Sequence, residues 1–100
     1  MASMFSQCSN LTSLDVSGFD TNDVIDMGLM FSWCKNLKTI YVGDGWSTSS
    51  IIEFEFTTDM FDNCINLIGG QGTKFAPSAI DFTRAHIDGG ESNPGYFTKK

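Results

Sequence analysis

The stretch MFSWCKNL, Met30 to Leu37, decides the fold because nearly the same eight letters occur three times in this 100-residue chain. MFSQCSNL begins at Met4 and MFDNCINL begins at Met60, so all three copies keep the pattern M-F-x-x-C-x-N-L. Five fixed letters in eight do not recur three times by chance. A single unit of this size cannot bury its apolar side chains alone, so the repeat predicts a stack of similar units with one continuous core.

Four apolar residues, one before the second octet and three within it, predict a short helix, because their i, i+3, i+4, i+7 spacing puts them on one helical face. Asp26 precedes this segment and is a suitable N-cap, as Thr58 or Asp59 is for the third copy. Each octet also contains an asparagine, which tolerates the left-handed conformation that ends a helix. The apolar residues are Met27, Met30, Phe31 and Cys34, and the asparagines are Asn10, Asn36 and Asn66.

The residues that follow the first two octets predict short strands. LTSLDV at 11–16 and LKTIYV at 37–42 both read L-x-x-L-x-L with aliphatic substitutions, which is the strand pattern of leucine-rich repeats. Polar residues alternate with the apolar ones and are expected to face solvent, so they form a candidate binding face in which Tyr41 is the best single residue. Trp33 is added as an exposed residue that is either a contact hot spot or covered by the adjacent coil. The candidates are Ser13, Asp15, Ser17, Thr39, Tyr41 and Trp33.

These elements together predict an α/β solenoid. It is a leucine-rich-repeat-like right-handed coil of about two and a half repeats, with short helices on one side and short parallel strands on the other. An irregular β C-terminal cap closes it, because an open end would leave the core facing water. The repeats are predicted at 1–68, divided into 1–26, 27–56 and a partial copy at 57–68, and the cap is predicted at 69–100.

Two segments depart from the repeat. IIEFEF at 51–56 alternates apolar and acidic residues, so it predicts an extra strand or extended segment that lengthens the second copy. From Thr73 onward the repeat is absent, and AIDFTRAHID at 79–88 is predicted to be extended. Glycine-rich turns at Gly89-Gly90 and Asn93-Pro94-Gly95 then lead into an aromatic C-terminal segment that packs back on the core.

Charge and hydropathy exclude several classes of function. The chain has six basic and twelve acidic residues and a formal charge of −6, so it lacks the basic stripe that nucleic acid binding requires. No run of about 18 apolar residues is present, so this segment does not insert into a membrane. The first residues, Met1-Ala2-Ser3-Met4, do not read as a secretory signal.

No residue pattern predicts a catalytic, cofactor or metal site. The three cysteines are far apart in sequence and form no C-x-x-C pair, so buried reduced thiols are expected, with a disulfide between stacked copies as an open alternative. GGQGT at 69–73 lacks the Lys-Ser/Thr of a phosphate loop. The spacing of the aspartates from Asp15 to Asp26 does not fit a calcium loop, and His86 is expected to be structural.

The first copy reads M-F-x-x-C-x-x-L-x-x-L-D-x-S-x-F-D-T from Met4 to Thr21, and the chain therefore resembles the BspA-type leucine-rich repeats of bacterial and protist cell-surface proteins. HIDGGESNPGYFT at 86–98 resembles the way such arrays end. The second copy departs from the family pattern, because it has Ile40-Tyr41 where Leu-Asp is usual. The resemblance implies a non-enzymatic, surface-exposed or secreted protein, often a lipoprotein, that binds host or matrix proteins or glycans in adhesion. The alternative is a capping or spacer module of a longer array, with no ligand of its own.

The first residues align with the second copy, since Met1 and Met4 match Met27 and Met30. We therefore expect a chain that starts inside a coil, as a fragment of a longer protein whose signal and anchor lie elsewhere. An uncapped first coil exposes apolar residues and a strand edge, which predicts a homodimer or a domain-swapped form.

Overall fold

The computed structural model describes residues 3–24, 26–48 and 59–100. In these ranges the chain forms a three-stranded parallel sheet in the order β1-β2-β3, followed in the C-terminal third by two 3₁₀ turns. The predicted strand at 51–56 lies outside the described residues. The strands are β1 (Ser13–Asp15), β2 (Thr39–Val42) and β3 (Phe97–Lys99), and the 3₁₀ turns are Phe82–Arg84 and Gly90–Ser92.

Strands β1 and β2 lie within the two L-x-x-L-x-L segments, and they pair with equivalent residues opposite each other. Leu14 pairs with Ile40, and Ile40 pairs with Phe97 of β3, so three inward-facing apolar residues form one row across the sheet. β-branched and aromatic residues at these positions favour a strand that is buried on one face. The first two copies are therefore in register, as a stack of similar units requires.

Strand β3 takes the place that a third repeat strand would occupy. After Leu67 the sequence continues with glycines, which disfavour a strand because they have no side chain to pack. The chain turns instead, with the N–H of Gly72 donating to the carbonyl of Gly69 at 3.0 Å and Gly72 at φ 93°. The C-terminal segment then returns, and β3 completes the sheet beside β2.

Within the described residues the octets form successive tight turns, so the prediction of short helices is wrong. The N–H of Ser32 donates to the carbonyl of Leu29 at 3.1 Å, and the N–H of Cys34 donates to that of Phe31 at 3.3 Å. Two equivalent residues in each copy have φ between 53° and 63°, which an α-helix does not allow. These residues are Ser3, Gln7, Leu29, Trp33, Asp59 and Asn63.

Alternate N–H groups of the first two octets donate to the next copy. The N–H of Phe5 bonds the carbonyl of Met30 at 2.9 Å, and at the equivalent position the N–H of Phe31 bonds the carbonyl of Met60 at 2.9 Å. An α-helix would direct the N–H of Phe31 to Met27 instead. The spacing of the apolar residues predicted a helix wrongly, because turns that repeat every four residues also bury positions i, i+3, i+4 and i+7. Two residues further along, the N–H of Gln7 bonds the carbonyl of Ser32 at 2.8 Å, and the N–H of Trp33 bonds the carbonyl of Asp62 at 2.7 Å.

The capping roles predicted for the polar residues of the octets are also corrected. Asp26 accepts a hydrogen bond from the N–H of Gly28 at 3.0 Å, which is a local Asx turn and caps no helix. The three asparagines do not have positive φ. Instead the side-chain amide of Asn36 donates to the carbonyl of Ser9, and that of Asn66 donates to the carbonyl of Lys35, each at 2.8 Å. The repeated asparagine thus ties each copy to the one before it.

The core is a stack of phenylalanines covered by the C-terminal aromatics. The Phe5 and Phe31 rings lie 5.8 Å apart at an interplanar angle of 8°, and the Phe31 and Phe61 rings lie 5.5 Å apart at 9°. Tyr96 meets Phe61 edge-on at 5.0 Å, and Phe97 meets the same ring at 5.8 Å. The stack accounts for the repeated Phe, because each ring needs a flat neighbour in the next copy.

The C-terminal segment is more folded than the sequence indicates. Residues 79–88 are not simply extended, because Asp81 accepts from the N–H of Thr83 and begins the 3₁₀ turn Phe82–Arg84. Gly90 has φ 79° and opens the second turn, in agreement with the glycine-rich signal there. The division into repeats at 1–68 and a cap at 69–100, and the right-handed sense of the coil, stay predictions.

Candidate functional site

The outward row of the sheet brings the strand candidates together. Asp15 pairs with Tyr41 across β1 and β2, and Tyr41 pairs with Thr98 across β2 and β3. One step earlier, Ser13 pairs with Thr39. Ser13 and Asp15 are exposed, whereas Thr39 and Tyr41 are half-buried. The strands therefore present a small polar surface with one aromatic ring near its centre.

Ser17 supports this surface from the end of β1. Its N–H donates to the Asp15 carboxylate at 2.9 Å, and the residue itself is half-buried. This Asx turn holds the carboxylate beside the sheet as the chain leaves the strand. Ser17 therefore positions Asp15, and its role as a contact residue stays a prediction.

Lys100 also lies on this surface. Its ammonium donates to the Asp15 carboxylate and lies 5.8 Å from the centre of the Tyr41 ring. The hydrogen bond from Lys100 holds the pKa of Asp15 well below its ordinary value, and the same bond raises the pKa of Lys100. The sequence gives no signal for Lys100 or Thr98, because their place depends on β3 pairing outside the repeat. We call Ser13, Asp15, Thr39, Tyr41, Thr98 and Lys100 the sheet face.

Trp33 is placed apart from the sheet face. It is 43 % exposed and lines a surface cleft of about 570 Å³ together with Gln7, Ser9 and Lys35. The ammonium of Lys35 lies 5.0 Å from the centre of the Trp33 ring. The six candidates of the sequence therefore divide between two surfaces, since no residue of the sheet face lines this cleft.

The cysteines form a hydrogen-bonded ladder between copies. The Cys34 thiol donates to the carbonyl of Phe5 at 3.0 Å, and the Cys64 thiol donates to the carbonyl of Phe31 at 2.8 Å. Burial raises the pKa of both thiols, that of Cys64 to about 12, so both are protonated at neutral pH and are poor nucleophiles. All three cysteines are free. No set of three or more His, Cys, Asp or Glu side chains in the described ranges is arranged to hold a metal ion.

In the part of the chain that the structure describes, no helix has the length and apolar character needed to cross a membrane. No curated protein and no solved structure gives a significant match to the chain.

A protein-family comparison does give a match. The family described as "Mycoplasma protein of unknown function, DUF285" matches residues 1–78, a range that contains all three octets, β1, β2 and the turn after Leu67. This family is a surface-associated repeat family. The matched range stops before β3, so the sheet face combines two strands from the family region with one strand that follows it. Because the match covers most of the length of the chain, the chain belongs to this family.

Proposed function

We propose that the chain is a non-enzymatic cell-surface or secreted module that binds a protein or glycan of a host or matrix through its sheet face. Membership of a surface-associated family supports the location. The observation that carries the proposal is the outward row Asp15, Tyr41 and Thr98, in which an aromatic ring lies between polar groups. Tyrosines in such settings are frequent contact hot spots, because they offer a rigid ring and a hydroxyl together.

We further propose that the stacked copies are a segment of a leucine-rich-repeat-like solenoid of the BspA type. The junction between the first and second copies and the junction between the second and third repeat the same hydrogen bonds at Phe5 and Phe31. The same is true of the thiols of Cys34 and Cys64. A junction that repeats itself can continue through further copies, which is how solenoids extend their binding surfaces.

The sheet face is tested by Tyr41→Ala. Binding of the chain to immobilised extracellular-matrix proteins and glycans is expected to fall at least about tenfold, since hot-spot truncations cost more than about 1.4 kcal/mol. Surface plasmon resonance on a panel of these molecules measures the loss. Ser78→Ala, an exposed residue away from the sheet, is the matched control and should leave binding unchanged. Equal binding by both variants would remove the sheet face from the proposal.

A second candidate function is a cap or spacer without a ligand of its own. It is favoured by the way Tyr96 and Phe97 cover the Phe61 end of the aromatic stack. Buried aromatics at one end of a stack shield its core from water, which is the role of a terminal cap. In the same binding experiment, this candidate predicts that no molecule of the panel is retained, with or without Tyr41.

We also propose self-association through the free edge of the first copy. The carbonyls of Met30 and Ser32 accept N–H groups from the first copy, whereas the equivalent carbonyls of Met4 and Ser6 accept no N–H from the residues the structure describes. Such an edge is a template for another chain. Two chains can associate directly at this edge or by exchange of a copy, and an apolar side chain at the edge favours the direct contact.

Met4→Lys tests this edge. Met4 is 52 % exposed, so the added charge is tolerated in the monomer but opposes the approach of a second apolar edge. The unchanged chain is expected to show dimers that increase with concentration in multi-angle light scattering, and the variant is expected to remain a monomer over the same range. A monomeric unchanged chain at high concentration, or dimers that the variant retains, would refute the self-association.

A further inference from the structure

We propose that the cleft around Trp33 is a carbohydrate site that takes a uronate-bearing sugar of a glycan. Among the residues that the structure describes, its lining has one exposed indole and three polar side chains, those of Gln7, Ser9 and Lys35. The volume of about 570 Å³ lies in the range of small-ligand clefts, about 300–1,000 Å³. The site is separate from the sheet face, so it extends the proposed function and does not depend on Tyr41.

The backbone at Trp33 is the first reason to assign a ligand role. Trp33 has φ 62°, and the equivalent residues Gln7 and Asn63 have φ 63° and 61°. This left-handed conformation suits asparagine and is unfavourable for a bulky aromatic residue. Leu29 shares this conformation, with φ 59°, but it does not line the cleft, so Trp33 combines a strained backbone with an aromatic ring on an open cleft, a combination that points to function.

The chemistry of the cleft favours a sugar over a protein side chain. Hot spots of protein interfaces cluster in well-packed, desolvated pockets, whereas the Trp33 ring is 43 % exposed on the wall of an open cleft. The indole face is electron-rich, so it attracts the C–H groups of a pyranose ring. The amide of Gln7 and the hydroxyl of Ser9 can each donate and accept hydrogen bonds with sugar hydroxyls.

Lys35 indicates that the sugar is acidic. Among the described residues of the cleft lining it is the charged one. Its ammonium lies over the Trp33 ring, 5.0 Å from the centre, so a stacking sugar displaces it to the edge of the ring, where it can pair with a carboxylate of that sugar. The formal net charge of the chain is −6, which opposes the binding of densely sulfated polymers. A glycan with isolated carboxylates, one for every two sugars, satisfies both conditions.

Titration of the ¹⁵N-labelled full chain with a hyaluronan octasaccharide tests the site. The chain has two indole N–H signals, from Trp33 and from Trp46, whose N–H donates to the carbonyl of Ala85 at 2.9 Å. We expect the Trp33 signal to move and the Trp46 signal to stay. Neutral chitohexaose and the Lys35→Gln variant should each weaken binding about fivefold, the effect of one exposed charge pair.

Trp33→Asn is the decisive variant because Asn63 already occupies the equivalent position. Its melting temperature should change by no more than about 5 °C, since relief of strain offsets the lost ring contacts. Hyaluronan binding should be abolished, whereas Tyr41→Ala should leave it unchanged. A Trp33 signal that does not move, or binding that survives Trp33→Asn, would overturn the site. Equal affinity for chitohexaose and for hyaluronan would contradict the preference for an acidic sugar.

Discussion

Asp88→Ala is expected to lower the free energy of unfolding by about 3 kcal/mol or more, because it leaves one buried and three partly buried N–H groups without their acceptor. Asp88 is 3 % exposed, and one carboxylate oxygen accepts from the N–H groups of Gln71 and Thr73 at 2.8 and 3.0 Å. The other accepts from the Thr73 hydroxyl at 2.7 Å and from the N–H groups of Gly90 and Gly95 at 2.9 and 3.3 Å. One side chain thus joins the turn after Leu67 to the segment that delivers β3.

Urea denaturation at neutral pH, followed by circular dichroism, measures this loss. Asp44→Ala is the matched control, since Asp44 is an exposed aspartate and should change stability by less than about 0.5 kcal/mol. If Asp88→Ala unfolds at the same urea concentration as the unchanged chain, the carboxylate does not hold the C-terminal segment in place.

The same carboxylate makes stability depend on pH. Burial acts to raise the pKa of Asp88, but the hydrogen bonds from Thr73, Gly90 and Gln71 outweigh burial and hold the pKa well below its ordinary value. A depressed pKa stabilises the fold above the pKa of the unfolded chain, about 3.9, and this contribution is lost as the pH falls toward the folded-state pKa. Asp88→Asn should therefore lose less stability than the unchanged chain between neutral and acid pH.

Phe31→Ala is expected to be the most destabilising single change in the repeats, with a loss of about 3–5 kcal/mol. The Phe31 ring is fully buried between Phe5 and Phe61, and it also meets Phe97 edge-on at 6.0 Å. Truncation opens a cavity where side chains of all three copies and β3 meet. Because a domain of this size is stable by only about 5–15 kcal/mol, the loss removes a large fraction of the stability and should lower the melting temperature markedly.

Thermal and urea unfolding measure the effect of Phe31→Ala. Ile65→Ala is the control, because Ile65 belongs to the third octet but is 59 % exposed, and its loss should cost less than about 0.5 kcal/mol. Comparable losses for the two variants would mean that the phenylalanine stack does not form the core.

The repeat made part of this fold predictable. Leu14 and Ile40 could be placed in neighbouring strands because equivalent residues of stacked copies meet each other, and the structure pairs them. The burial of the apolar residues in the second octet was also predictable, but the backbone conformation of the octet was not. Positions such as Met30 and Phe31 suit a helical face and a four-residue turn pattern equally well, and only the cross-copy hydrogen bonds distinguish the two.

What lies outside the repeat could not be predicted. The pairing of Phe97 with Ile40 joins residues far apart in sequence, and no local pattern signals it. The same holds for Lys100 on the sheet face and for Asp88, whose neighbouring glycines read only as turns. Trp33 was predicted to be exposed because Gln7 and Asn63 hold the equivalent position, but its separation from the sheet face depends on the octet being a set of turns.

In the first two octets the N–H of the phenylalanine bonds the next copy and not the carbonyl four residues earlier in its own copy. Nuclear magnetic resonance detects scalar coupling across a hydrogen bond, from the amide nitrogen of the donor to the carbonyl carbon of the acceptor. We predict coupling from the Phe31 nitrogen to the Met60 carbonyl carbon, with contacts between the ring protons of Phe31 and those of both Phe5 and Phe61. Coupling from the Phe31 nitrogen to the Met27 carbonyl carbon would show a helix and contradict the account.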